Sequence, residues 1–131
     1  MNYEEMSDFE INKLVVELKC KGQLIKILPQ KDAFDPMETG VMSSDVHIVT
    51  SSGMEQSINP CNNPSDAWPI IVDNDIEISI SRHAGFKTGN YIAKSDWERE
   101  GNNNYANVIS FHKNPLRAAM ICFLKMNDTE Q

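Results

Sequence analysis

Residues 115–124, Pro115-Leu116-Arg117-Ala118-Ala119-Met120-Ile121-Cys122-Phe123-Leu124, constrain the fold more than any other stretch. Asn114 before Pro115 is a helix start, because an asparagine side chain accepts from the free N–H groups of a first turn and proline has the φ of a first helical residue. Leu116, Ala119, Met120, Phe123 and Leu124 then recur at i, i+3, i+4, i+7 and i+8, which is one apolar stripe of an α-helix. Ala118, Ile121 and Cys122 widen it until only Arg117, Lys125 and the tail are polar. A helix of this kind must be covered on nearly every side. It is either the centre of the core or one half of a homodimer contact.

Other elements are spelled out locally. Ser7 and Glu10 have the spacing of a capping box, and Met6 and Ile11 that of a hydrophobic staple. Ile11, Leu14, Val15 and Leu18 continue as one stripe, and Gly22 offers a stop, so a helix is predicted over about 8–20. Gln23 to Leu28 is a short apolar run that reads as a strand closed by Pro29. Ile76, Ile78 and Ile80 alternate with Glu77, Ser79 and Ser81, giving a strand with one dry and one wet face. Tyr91 to Lys94 and Tyr105 to Phe111 are two further strands, with residues 98–104 (EREGNNN) as a polar loop between them. Connections this short predict an antiparallel meander.

The middle of the chain is less regular. Between residues 29 and 60, Asp35-Pro36, Gly40, Ser51-Ser52-Gly53 and Asn59-Pro60 are turn chemistry, and only Val46 to Thr50 is β-branched enough for a strand. The region reads as an irregular insertion, a binding loop, or a place where elements are hidden. Cys61 to Ile71 (CNNPSDAWPII) follows. Asn63 with Pro64 is one cap for a helix ending near Asp73; Ser65 is the alternative, and it places Pro69 at a position that lacks an intrahelical partner anyway. Asn74 is expected to end this helix in the left-handed conformation.

At 131 residues, with 40% hydrophobic and 24% charged, the chain is predicted to form a single domain, 1–131, with its own core. Nineteen carboxylates against twelve lysines and arginines give a net charge of −7, which argues against nucleic-acid binding and suits a protein partner with a basic patch. Cys20, Cys61 and Cys122 contain no C-x-x-C pair and read as free thiols. The acidic start, Met1 to Glu5, has neither the basic region nor the apolar run of a signal peptide, and no apolar run is long enough for a membrane span. A cytoplasmic protein is expected.

Each candidate site also has a plainer role. His83 and His112 close two strands and could meet near Cys61 or Asp66 to hold a metal, but zinc ligands usually come at close paired spacing and these do not. Cys61 before a helix start is a candidate nucleophile with either histidine, although inert packing is the commoner fate of a buried cysteine. An anion at the Asn62–Asp66 helix start would lack a glycine-rich loop and face the Asp66 carboxylate. No cofactor motif is present. Trp68, near Ile71 and Val72, is expected mainly to pack, whereas Trp97, between Asp96 and Glu98 in the presumed 95–105 loop, is the stronger exposed anchor for a partner.

Three blocks also carry a resemblance: Ser7 to Lys13 (SDFEINK), Cys61 to Ile71, and Asn114 to Leu124. With them the chain resembles the NinX-like family of small phage and prophage proteins. A fainter similarity links its plan to phage proteins described as α-β-α sandwiches. The resemblance covers under a third of the chain and leaves out 29–57 and 84–104. It implies a phage context and the host cytoplasm, and it brings no activity, cofactor or catalytic residue with it.

Together these readings predict an α+β domain: an antiparallel sheet of three to five strands with about three helices mainly on one face, or, as runner-up, an α-β-α sandwich with helices on both. The function expected is a non-enzymatic module that binds a host or phage protein, with no nucleic acid or membrane partner. The alternative is a small enzyme or ligand-binding domain with a cleft around Cys61, Asn62, Asp66 and His83 or His112.

Overall fold

The computed structural model describes residues 2–20, 24–27, 44–80 and 90–128. After a 3-10 turn at Tyr3–Glu5 the order is α1 (Asp8–Lys19), β1 (Leu24–Ile27), β2 (Val46–Thr50), β3 (Glu55–Ile58), α2 (Pro64–Asp73), β4 (Glu77–Ile80), β5 (Tyr91–Glu100), β6 (Asn103–His112) and α3 (Pro115–Asp128). The class is α+β, as the sequence predicts. The strands do not share one sheet, however: they divide into β1-β2-β3 and β4-β5-β6, both antiparallel.

The apolar helix is the centre of the core. Residues 117–124 of α3 are all buried, and Ala118 to Cys122 have no exposed surface. It lies on the face of β5 and β6 that presents Ala93, Ser95, Val108 and Ser110, small side chains that let a helix approach closely. Ser110 Oγ donates to the Ala118 carbonyl at 2.6 Å and Ser95 Oγ to the Asn74 carbonyl at 2.7 Å, so both hydroxyls on that face are satisfied. Met120, Ile121, Phe123 and Leu124 each contribute about 1.5–3 kcal/mol by leaving water. This surface is consumed within one chain, and residues 117–124 offer no exposed face to a second copy.

Helix α1 begins as its capping pattern predicts, with Ser7 Oγ accepting from the Glu10 N–H at 3.2 Å. It serves two cores. Ile11 and Val15 join the α3 cluster, while Val16 packs with Val46 and Ile48 under the first sheet. Its last residue before the cap is Lys19; Gly22 lies outside the described residues.

Within 29–60, Val46 to Thr50 is the strand the sequence predicts, and the reading of the residues after it as irregular is corrected. Residues 46–58 form a hairpin, β2 to β3, turning at Gly53 with φ +83°. Strand β3 was hidden because Glu55, Gln56 and Ser57 are all exposed on an edge strand, so no apolar alternation marks it.

Asn63 is the cap of α2: its side chain accepts from the Ser65 N–H at 3.0 Å, and Pro64 opens the helix. Pro69 therefore lies inside, on an exposed face where the Ser65 carbonyl can meet water. The left-handed residue at the far end is Asp75 (φ 53°) and not Asn74 (φ −109°). The Ile76 N–H reaches the Ile71 carbonyl at 3.0 Å and the Asp75 N–H that of Val72 at 3.3 Å, which is a Schellman ending. Ile71 and Ile76 are both in the main core, the apolar contact that accompanies such an ending.

The 95–105 segment is also corrected. It is no loop: β5 and β6 pair out to Glu100 and Asn103, with Gly101 (φ 63°) in the turn. Its tip is polar because this hairpin runs on past the helix and is exposed on both faces.

Candidate functional site

The three blocks of the resemblance meet at one place, a polar joint between α1, the turn at 59–62 and the start of α3. Asn12 of α1 has no exposed surface. Its Nδ2 donates to the Ser44 carbonyl (2.8 Å) and to Asn59 Oδ1 (2.7 Å), and its Oδ1 accepts from the Cys61 N–H (2.9 Å). Asn59 in turn donates to Ser44 Oγ (2.7 Å) and Asp45 Oδ1 (2.8 Å). Asn62 donates to Asp8 Oδ2 at 3.1 Å and accepts from Asn114 Nδ2 at 3.2 Å. Asn114 performs two tasks: it donates to the Cys61 carbonyl (2.7 Å), and its Oδ1 caps α3 by accepting from the Leu116 N–H (3.0 Å).

Arg117 closes the joint from below. Only 5% exposed, it pairs with Asp8 and donates through Nη2 to the Met6 (2.6 Å) and Tyr3 (3.2 Å) carbonyls. Tyr3 and Lys125 extend the fastening along α3, to Asp128 and Glu4 respectively. A buried arginine requires such partners, since an unpaired charge out of water is strongly disfavoured. Arg117, Asn12, Asn59 and Asn114 escaped the sequence reading as members of one site. The available signal was Arg117 itself, a cation set within the apolar stretch that opens α3.

The predicted cleft residues are placed as follows. Cys61 has no exposed surface, and burial, reinforced by the Asp8 carboxylate, pushes its thiol up to about 12. A thiol held in its protonated form is a poor nucleophile. Asp66 accepts the Asn59 N–H at 2.9 Å. His112 Nδ1 accepts the Asn114 N–H at 2.9 Å, and burial, then the Arg117 charge, lowers its pKa, which keeps the ring neutral at pH 7. Asn62 and His112 thus both touch Asn114, while Asp66 binds a different residue of the joint. His83 lies outside the described residues. Among the described residues no three histidine, cysteine, aspartate or glutamate side chains come together to hold a metal. The joint fastens elements; its groups are occupied with one another.

One consequence is measurable. In the native protein at pH 8, Cys61 and Cys122, both buried and both raised to about 12, should resist a thiol reagent, while half-buried Cys20 reacts first. Timed thiol titration with and without urea checks this; rapid native labelling of Cys61 would contradict it.

The exposures of the two tryptophans are the reverse of those expected. Trp68 is 63% exposed, because α2 turns Ala67, Ile70 and Ile71 inward and carries Trp68 and Val72 (56% exposed) on its outer side. Trp97 is half-buried, and its indole N–H donates to the Asp75 carbonyl at 2.9 Å.

Fold and joint define a small α+β domain built on a buried helix and locked by an asparagine-rich cluster. The family profile described as Bacteriophage P22, NinX matches residues 2–127, and the chain belongs to that phage protein family. No curated protein and no solved structure matches it. Among the described residues no helix is long and apolar enough to cross a membrane.

Proposed function

We propose that this phage-family protein is an accessory module of the host cytoplasm that binds another protein without catalysing a reaction, and that the outer face of α2 is its contact surface. The observation that supports this reading is the exposure of Trp68 beside Val72. Tryptophan is among the side chains that most often dominate binding energy, and here it stands in water one turn from a second apolar group.

Charge indicates the partner's chemistry. From Asp32 to Ser81 the chain carries nine of its nineteen carboxylates and none of its twelve lysines and arginines. Within this segment Asp73, Asp75 and Glu77, at and just beyond the end of α2, are exposed. The complementary surface is a basic protein face with an apolar cleft that receives an indole.

The test is capture from infected-host lysate, then affinity measurement with the purified partner. A basic partner is expected, with binding that weakens as salt rises. Trp68→Ala should weaken it by roughly 30-fold or more, the effect of losing about 2 kcal/mol at a central anchor. An acidic partner, or equal affinity for wild type and Trp68→Ala, would rule the reading out.

A further inference from the structure

A notch of about 640 Å³ opens at the edge of the second sheet, lined by Asp75, Ile76, Glu77, Lys94, Trp97 and Asn104. It exists because β4 starts at Glu77, opposite Lys94, while β5 runs on to Glu100 without that neighbour. The chain at 74–75 covers part of the gap and is clamped there. Ser95 Oγ donates to the Asn74 carbonyl at 2.7 Å, and the Trp97 bond to Asp75 fixes the indole as one wall. The other polar groups are unspent: among the described residues the side chains of Asp75, Glu77, Lys94 and Asn104 make no hydrogen bond or ion pair. Glu77 and Lys94 stand opposite each other in register and still do not pair. The volume falls within the roughly 300–1,000 Å³ of small-ligand sites.

We propose that this notch binds a zwitterionic guanidino ligand, an arginine held by both its side chain and its α-carboxylate. An indole wall beside two carboxylates selects a planar cation. The ring attracts the guanidinium face, and the carboxylates accept its N–H edge in pairs. A lysine ammonium presents no plane and gains less. Lys94 decides the other half. Its charge attracts a carboxylate, to which the Asn104 amide adds a donor. Free arginine and a peptide's C-terminal arginine present these same groups. The inference is independent of the α2 contact surface.

The test follows the Trp97 indole N–H signal of the whole chain by NMR, assigned with Trp97→Phe, during titration with L-arginine, agmatine, L-lysine and the dipeptide glycyl-arginine. L-arginine should shift it saturably with a Kd in roughly the millimolar range, and agmatine and lysine should bind about tenfold more weakly. Glu77→Gln and Lys94→Met should each weaken L-arginine about fivefold or more, with the rest of the spectrum unchanged. Glycyl-arginine as tight as L-arginine identifies a peptide terminus as an admissible source; its failure beside a binding L-arginine identifies the free amino acid. No saturable shift with L-arginine, agmatine binding equal to it, or variants that bind like the wild type would each overturn the proposal.

Discussion

Replacing Arg117 with methionine should destabilise the fold by about 3–5 kcal/mol, the range for removing one partner of a buried ion pair. Methionine keeps most of the unbranched stem, so the packing inside α3 is largely retained and the charge is what disappears. Three acceptors then lose a bond, the Asp8 carboxylate and the carbonyls of Tyr3 and Met6, although the Tyr3 carbonyl keeps the Met6 N–H at 3.2 Å. Asp8 is 33% exposed and keeps its bond from Asn62, so water recovers part of the loss there and the low end of the range is favoured. Among the described residues Arg117 Nε has no hydrogen-bond partner, so nothing more is forfeited at that atom. Domains are typically stable by about 5–15 kcal/mol, so this one change removes a large fraction. Urea unfolding should show a lower midpoint with an unchanged slope. Asp8→Asn, which retains an acceptor for Arg117, should cost less. A loss below about 1 kcal/mol for Arg117→Met would mean that the pair does not fasten the N-terminal segment to α3.

What the sequence disclosed was local, and what it concealed was assembled from distant residues. The Ser7 cap, the alternating isoleucines at 76–80 and the stripe of α3 are periodic signals contained within one element. The joint draws on residues 8, 12, 44, 59, 62, 114 and 117; Asn59, Asn62 and Asn114 alone read as cap or turn residues, and Asn12 as one polar position inside a helix. Asn114 is in fact a cap and a cross-link together. Although Ile71 is three residues on, Trp68 was misplaced because it is turned away from the centre of the buried face formed by Ala67, Ile70 and Ile71. It lies one residue step, about 100°, from the buried Ala67. Trp97 was misplaced because the tip of the β5–β6 hairpin has no covered side, and alternation vanishes where both faces meet water.

Asn12→Leu should cost about 2–4 kcal/mol, although leucine is of similar size and apolar. The Cys61 N–H, buried with its residue, loses its acceptor, and the half-buried Ser44 carbonyl loses its donor. Asn59 Oδ1 retains Asn62 as a partner, which limits the damage. The amide orientation follows from these neighbours, since a backbone N–H can only donate and a carbonyl can only accept. Asn12→Asp tests that orientation. One carboxylate oxygen still serves Cys61, but the other meets two acceptors, Asn59 Oδ1 and the Ser44 carbonyl. The charged form is therefore disfavoured in the fold, and the carboxyl's folded pKa rises above its unfolded value of about 3.9. A raised acid pKa contributes stability below the unfolded value that is lost as pH rises through the folded one. The deficit of Asn12→Asp against wild type should accordingly widen between roughly pH 4 and pH 7 in paired urea titrations. A deficit constant over that interval would place no acceptors beside the substituted oxygen, and Asn12 would not be the pivot on which α1, the 59–62 turn and the Ser44 segment meet.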